Sequence, residues 1–459
     1  MQKMTAIILA GGQGTRMKSP LPKVLHPVAG MPMISRIVHQ CQRADFDEVR
    51  LVVGHGLNLV KTVVEPMGVL TFVQKEQLGT ADAVKSADVN SIEGDVVILN
   101  GDHPLITAED LKGFISDYRE QKLDLALISV ELENPAEFGR IVRQSGQLKT
   151  IVEAKDASAE TLKIKEVNTG IYVVKASLLQ KYLPQIKNNN SKKEFYLTDL
   201  LSLAIDGGHK VQAICTKNKN VAHGVNNQIE LAAATRIAHQ IKNLQLLTAG
   251  VIIIDPTNTY IEEAVQVGPG TVIYPGAFVR GNTTIGSFCV LEPNVFISES
   301  DIKDSVQIRA GSYLENAKVL SQAKVGPYAR LRPETEIGES AQVGNFVEMK
   351  KVKFGAGSKA GHLTYLGDAE VGKDVNIGCG TITCNYAADR KKYKTVIGDN
   401  VFVGSDSQLV APVEVGAGAI IASGSTITKN VPADALAIAR ARQENKEGLA
   451  TRYNKKKDS

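Results

Sequence analysis

Cysteine is scarce in this 459-residue chain, and its five copies (Cys41, Cys215, Cys289, Cys379 and Cys384) are scattered, odd in number and without C-x-x-C spacing. That excludes a disulfide framework and argues against a cysteine-built zinc site. Long apolar runs are lacking as well. The run from Ala6 to Ala10 is too short for a signal peptide or a membrane span, so a reducing cytoplasm without membrane attachment is the expected setting. Nor does one sign of charge dominate. The 53 Lys and Arg against 49 Asp and Glu leave a net charge of +4, too small to expect a nucleic-acid partner. The basic residues at the C-terminal end (Arg452, Lys455, Lys456, Lys457) read as a solvated tail. With 43% hydrophobic and 22% charged residues, the composition is that of a globular protein long enough for two or three domains.

What the chain has in abundance is a six-residue rhythm. Aliphatic residues fall at Val267, Ile273, Val279, Ile285, Leu291 and Ile297, and the register resumes at Ile302, Ile308, Leu314 and Leu320. It resumes again at Val325, Leu331, Ile337, Val343 and Met349, and from Ile397 through Val403, Leu409, Val415 and Ile421 to Ile427. A period of six fits neither an amphipathic helix nor an alternating strand. It fits a solenoid of short parallel strands with the aliphatic row stacked inward. The rhythm fails between Thr383 and Ile397, where Asn385–Tyr393 is expected to protrude as a polar loop, and insertions in a solenoid often lie on its binding face.

The N-terminal half follows another pattern. The run Thr5–Ala10 reads as a buried strand, with further short apolar runs at Val49–Val53, Val69–Val73, Val96–Leu99 and Leu125–Val130. Helical patterns at Met33–Ala44 and Ala108–Gln121 separate some of them, so an α/β domain with a mostly parallel sheet is expected. Ligands of such sheets bind at the carboxyl ends of the strands. Two loops stand at such ends. Gly11, Gly12 and Gly14 form a glycine turn that lets backbone N–H groups approach phosphate, and Arg16 and Lys23 add cationic side chains. The spacing is neither the dinucleotide fingerprint nor the Walker A loop. Asp102, in Asn100-Gly101-Asp102-His103-Pro104, is either a Mg²⁺ ligand or a cap for the helix starting near Thr107. Gln228–Leu247 reads as a helix, either an arm between domains or a core helix of the first.

Leu9-Ala10-Gly11-Gly12-x-Gly14-Thr15-Arg16 with Pro22-Lys23 resembles the opening of the sugar-nucleotide pyrophosphorylases, a nucleotidyltransferase family. Gln77-Leu78-Gly79-Thr80-Ala81, Asn100-Gly101-Asp102, Phe138-Gly139-Arg140, Asn168-Thr169-Gly170 and Gly224-Val225-Asn226-Asn227 fit it in order, over roughly residues 5–228. The C-terminal stretches Val343–Lys351, Gly357–Ala369, Gly380–Tyr386 and Val403–Asp406 narrow the resemblance. They are similar to the bacterial bifunctional N-acetylglucosamine-1-phosphate uridyltransferase and glucosamine-1-phosphate acetyltransferase family.

That resemblance implies a Rossmann-like uridyltransferase domain at 1–228, a helical linker at 229–250, and a left-handed parallel β-helix acetyltransferase domain with its tail at 251–459. It also implies a homotrimer with acetyl sites where neighbouring prisms meet. The implied substrates are UTP, glucosamine 1-phosphate, N-acetylglucosamine 1-phosphate and acetyl-CoA, with Mg²⁺ as cofactor, in the supply of cell-wall and envelope polysaccharide. By the same resemblance Leu9, Ala10, Gly11, Gly12, Lys23, Gln74, Gly79, Thr80, Gly139, Glu153, Asn168 and Asn226 contact the nucleotide sugar. Arg16 and Lys23 assist transfer, and Asp102 with Asn226 binds the metal. His362 becomes the base of the acetyl site, Arg332, Lys350, Tyr365 and Asn376 hold the sugar phosphate, and Cys379, Asn385, Tyr386, Ser405, Ser423 and Arg440 line the acetyl-CoA side.

A lone histidine is more often structural than catalytic, and only its polar surroundings favour the base role for His362. The chain departs from the family pattern at Gly11, Gln13, His103, Cys379 and Ser423. Two other readings fit the residues less well: a single-function nucleotidyltransferase with a structural β-helix, and a non-catalytic regulatory scaffold.

Overall fold

The computed structural model describes residues 3–144, 146–190 and 193–453, so the tail lysines Lys455–Lys457 lie outside the described residues. Packing divides the chain into two units, Met1–Ala238 and His239–Ser459, and the division falls inside the long helix Gln228–Thr248.

The first unit is built on β1 (Met4–Ala10), an almost wholly buried strand. It pairs in parallel with β2 (Glu48–Val53) on one side and with the strand Asp95–Asn100 on the other. With β3 (Leu70–Val73), β4 (Asp95–Asn100), β5 (Leu125–Glu131), β6 (Arg140–Gln144), β7 (Gln147–Val152), β8 (Glu166–Lys175) and β9 (Val211–Thr216), the main sheet order is β9-β5-β8-β4-β1-β2-β3. The strand β8 runs antiparallel to both neighbours, and the hairpin β6–β7 hangs from it. Strand alternation sends successive side chains of β1 to opposite faces. Ala6, Ile8 and Ala10 pack with the helices Met33–Arg43 (α1), Leu57–Val64 (α2) and Ala108–Glu120, while Ile7 packs with Thr80–Ser86, Ala176–Tyr182 and Asp199–Asp206. The result is a sheet covered by helices on both faces, as near-continuous apolar strands require. Leu9 lies opposite Asn100 in the register, so the loops after β1 and β4 leave the sheet side by side.

The second unit is a left-handed parallel β-helix. Its strands form one 11-stranded face and a 17-stranded sheet that curls over the rest of the prism. Register rises by seventeen or eighteen residues per coil, as in Val272 to Val290 and Val290 to Gln307. One coil is longer, pairing Asn376 with Phe402 across the loop Asn385–Tyr393. The aliphatic row is buried from Ile273 to Ile427 at 4% exposure or less, with Val267 only partly covered. Corners recur on the same period in the left-handed region, at Tyr328, Glu334, Ser340 and Phe346 with φ of 53°, 66°, 58° and 57°. Non-glycine residues are uncommon there, so the stacked ladders must hold them in place.

One register position differs from the sequence reading. Leu320 was expected in the inward row, but Val319 occupies it, paired with Ile302 and Ile337, and Leu320 is only half-buried. Asn316 turns the corner at φ 44°, one residue early, so the step after Leu314 is five residues rather than six. Val319→Ala is therefore expected to cost about 2 kcal/mol. Leu320→Ala should cost less than about 1 kcal/mol. Urea midpoints of the two variants decide between the registers, and equal losses would return Leu320 to the core.

Candidate functional sites

The loop after β1 depends on one left-handed glycine. Gly14 has φ 63°, and a Cβ there would sit 2.6 Å from the Lys23 Cβ. This close approach sets the Lys23 side chain beside the β4 loop. Its ammonium donates to Asp102 Oδ2 at 2.5 Å and to Asn226 Oδ1 at 2.7 Å, and Arg16 Nη2 donates to the same Asn226 oxygen at 2.9 Å. Burial alone would raise the Asp102 pKa, but the charges of His103 and Lys23 outweigh it and hold the carboxyl below the usual range. Asp102 does not cap the following helix. Thr107 and Asp110 form that capping box themselves.

Three adjoining cavities open along the strand ends. The first, about 380 Å³, is lined by Gln13, Arg16, Lys23 and Asn226. The second, about 430 Å³, lies between Leu9, Gly11, Gly12, Gln74, Gly79, Thr80 and Asp102. The third, about 300 Å³, shares Leu9 and Thr80 and adds Glu153 and Asn168. The expected residues are thus spread along one continuous trough. Ala10 ends β1 as a buried residue, and nothing lies within 4 Å of a Cβ built on Gly12, which leaves its backbone open to a ligand. Gly139 accepts from the Asn168 N–H at 2.9 Å, and its position leaves room for the Glu153 carboxylate. Gln74 donates to Gly79 O and to Asp82, which ties the Gly79–Thr80 turn to β3.

Several lining residues escaped the sequence reading. Gln77, within the Gln77-Leu78-Gly79-Thr80-Ala81 motif, donates to Gly11 O at 2.6 Å. Glu137, Glu194 and Tyr196 reach the third cavity from irregular segments, where no periodicity could mark them.

The Lys23 ammonium, set between the Asp102 carboxylate and the Asn226 amide oxygen, is a positive charge held by two hard oxygen donors. That donor set suits Mg²⁺, which takes few protein ligands and completes its shell with phosphate and water. Among the described residues no group of three or more His, Cys, Asp and Glu forms a metal cage.

In the β-helix, parallel register stacks residues two places after the buried row. The pairing Val343–Ala360–Ile377–Val403–Ile421 puts Asn345, His362, Cys379, Ser405 and Ser423 in one column on successive coils. Arg440 follows at the next coil, its Cδ 3.8 Å from a Cβ built on Gly424. His362 is exposed, and its Nδ1 lies 2.8 Å from Asn345 Oδ1. An amide oxygen only accepts, so Nδ1 carries the proton and Nε2 presents its lone pair outward. Asn345 was not singled out in the sequence, because its partner stands a whole coil away.

The neighbouring face carries Arg332, Lys350 and Tyr365. The Lys350 ammonium is pushed below the usual lysine range by Lys392 and then by Arg332. Such a cluster of cations calls for an anion, and Lys392 reaches it from the inserted loop, closed by a bridge between Tyr386 and Lys392. Asn385 is buried, donating to Asp368 at 2.5 Å, while Tyr386 is exposed. A Cβ at Gly367 would meet the Tyr365 hydroxyl at 2.5 Å and the Asn385 amide at 2.7 Å, so only glycine lets these two groups converge. Asn376 stands apart, on the 11-stranded face.

The Nδ1–H form of His362 should dominate in ¹⁵N-resolved imidazole spectra, and Asn345→Ala should shift the ring toward the Nε2–H form common in free histidine. An unchanged tautomer ratio would remove Asn345 as its orienting partner.

Comparison with known proteins bears on both units. Residues 6–157 match the MobA-like NTP transferase domain family, and residues 394–429 match the bacterial transferase hexapeptide family of six repeats. Full-length relatives are named Bifunctional protein GlmU. The chain is 65% identical to that of Bdellovibrio bacteriovorus, with 98% of both chains covered. It is 48% identical to that of Trichlorobacter lovleyi, over 96% of this chain and 97% of the relative. For Pelobacter propionicus the identity is 46%, over 99% and 100%.

Proposed function

The chain belongs to the GlmU family of bifunctional proteins, and from that premise we propose that its two units carry out consecutive steps in making UDP-N-acetylglucosamine. The β-helix acetylates glucosamine 1-phosphate with acetyl-CoA. The N-terminal unit joins the resulting N-acetylglucosamine 1-phosphate to UMP from UTP and releases pyrophosphate. The observation that carries this reading is the presence of two separate reactive arrays, Arg16–Lys23–Asp102–Asn226 and His362–Asn345, in one chain that matches bifunctional relatives over nearly its full length.

In the acetyl step the anionic phosphate of the sugar rests on Arg332, Lys350 and Lys392, whose mutual repulsion it relieves. His362 Nε2 takes a proton from the amine as its nitrogen attacks the thioester carbon. The C–S bond then breaks, and the departing thiolate takes up the proton. Asn345 steadies the imidazolium formed on the way by accepting from Nδ1–H. Cys379, Ser405, Ser423 and Arg440 mark a path for the acetyl-CoA chain along the column, with Asn385 and Tyr386 beside it.

In the nucleotidyl step a phosphate oxygen of the sugar 1-phosphate attacks the α-phosphorus of UTP, and the bond to the bridging oxygen of the β-phosphate breaks. Catalysis here consists of positioning and charge neutralisation. Arg16 and Lys23 stabilise the charge that gathers on pyrophosphate, while Glu153 and Asn168 hold the sugar in the third cavity. Asp102 and Asn226 would hold Mg²⁺, which supplies further neutralisation of the triphosphate. A cytoplasmic setting suits the supply of UTP and acetyl-CoA, and no helix among the described residues is long and apolar enough to cross a membrane.

We propose in addition that the chain works as a homotrimer, in which Asn376, on the 11-stranded face, serves an acetyl site together with Tyr365 of a neighbouring copy. Light scattering on the purified chain should return three times the 49.3 kDa protomer mass, and a monomer that still transfers acetyl groups would refute this arrangement.

Two assays separate the activities. His362→Ala should lower thiol release from acetyl-CoA by about 10²–10⁴-fold and leave pyrophosphate release from UTP within about twofold. Arg16→Ala should do the reverse, with a loss of about 10²-fold or more. A wild type that releases pyrophosphate but no thiol would favour the single-function reading, with a β-helix that is structural.

A further inference from the structure

The two oxygens of Asp102 have different neighbours. Oδ2 accepts from Lys23, whereas Oδ1 faces His103 Nε2 at 3.6 Å. The other ring nitrogen, His103 Nδ1, lies 3.1 Å from Val221 O. A backbone carbonyl only accepts, so Nδ1 carries a hydrogen and Nε2 is the nitrogen left to face the carboxylate. A carboxylate oxygen and an imidazole nitrogen at this distance hold a cation between them, a proton when the ring is charged or a metal ion when that proton is displaced. The bond from Nδ1–H to a main-chain carbonyl is also the usual support of a metal-ligating histidine, since it fixes the ring and raises its basicity.

Space is kept open at the same point. A Cβ on Gly224 would lie 2.9 Å from His103 Nε2 and 3.8 Å from Asn226 Nδ2. The imidazole and the Asn226 amide therefore approach each other beside a residue without a side chain. His103 also lines the cavity that holds Asp102, Gly11 and Gly12.

We infer that His103 Nε2 is a third protein ligand of the divalent cation held by Asp102 and Asn226, and that this nitrogen shifts the site's preference from Mg²⁺ toward Co²⁺. The inference rests on the cation site proposed above. Imidazole nitrogen binds Mg²⁺ weakly but gains strength along the first-row series from Mn²⁺ to Co²⁺, so one nitrogen ligand changes selectivity more than it changes overall charge.

Mn²⁺ is the probe. Added with UTP to the full-length protein, it should give a pulsed electron paramagnetic resonance spectrum with imidazole nitrogen coupling, and the coupling should follow ¹⁵N labelling of histidine. His103→Val should abolish the coupling. By titration calorimetry the same variant should lose about tenfold in Co²⁺ affinity and less than about twofold in Mg²⁺ affinity. The wild-type spectrum needs no variant to fold. Mn²⁺ held by the protein without histidine coupling would overturn the role of His103 and leave the oxygen site standing. Absence of Mn²⁺ binding, or binding indifferent to Asp102→Asn, would overturn the cation site and this inference with it.

Discussion

The contact on which the C-terminal half depends is the inward stacking of one aliphatic side chain per hexapeptide. Every coil repeats it, and the backbone at the corners accepts left-handed residues such as Tyr328 and Phe346 because the row on either side is fixed. Once that row is set, outward positions have no freedom left. Residues two places beyond it fall into a column, which is how Asn345 and His362, a full coil apart in sequence, come to share a 2.8 Å hydrogen bond. A one-residue slip would send the imidazole to a different face.

The N-terminal half fixes its chemistry by other means. There the sheet sets only where strands end, and the reactive groups ride on loops. Parallel register aligns Leu9 with Asn100, which places the glycine turn next to the Asp102 loop. Charge does the rest. Lys23 satisfies a half-buried carboxylate and an amide oxygen together, so removal of either cation or carboxylate would leave its partner poorly compensated in the trough.

Much of this was legible in the sequence, for identifiable reasons. The period of six is a direct image of the coil, and short apolar runs bounded by glycine are a direct image of buried parallel strands. Where the reading fell short, the signal was absent or local geometry competed with it. Leu320 continues the six-residue count, yet the early corner at Asn316 hands the core position to Val319. The antiparallel course of β8 leaves no mark in its composition, since a doubly buried strand looks the same in either direction. Asn345, Lys392 and Glu194 matter through partners that only the fold brings near. Asp102 could be a metal ligand or a helix cap on sequence alone, and the capping box of Thr107 and Asp110 excluded the second.

The arrangement of Arg16, Lys23 and Asn226 carries one further consequence for the proposed nucleotidyl step. Gln13 is neutral, so Arg16 and Lys23 supply the positive charge of the cavity they line; both donate to Asn226 Oδ1, and Lys23 also to Asp102 Oδ2. A triphosphate entering this space competes for the two cations, because charge-assisted bonds to phosphate are stronger than bonds to an amide oxygen. As Lys23 and Arg16 turn to the phosphates, Asn226 Oδ1 is released to a divalent cation, and the cation in turn binds the phosphates that displaced them. On this proposal nucleotide and metal create each other's sites and are best bound as one chelate. The β-helix needs no such exchange at its proposed base, where Asn345 already accepts from His362 Nδ1. On this proposal one unit rearranges its charges to receive substrate, while the other has its base preset by the register of the coils.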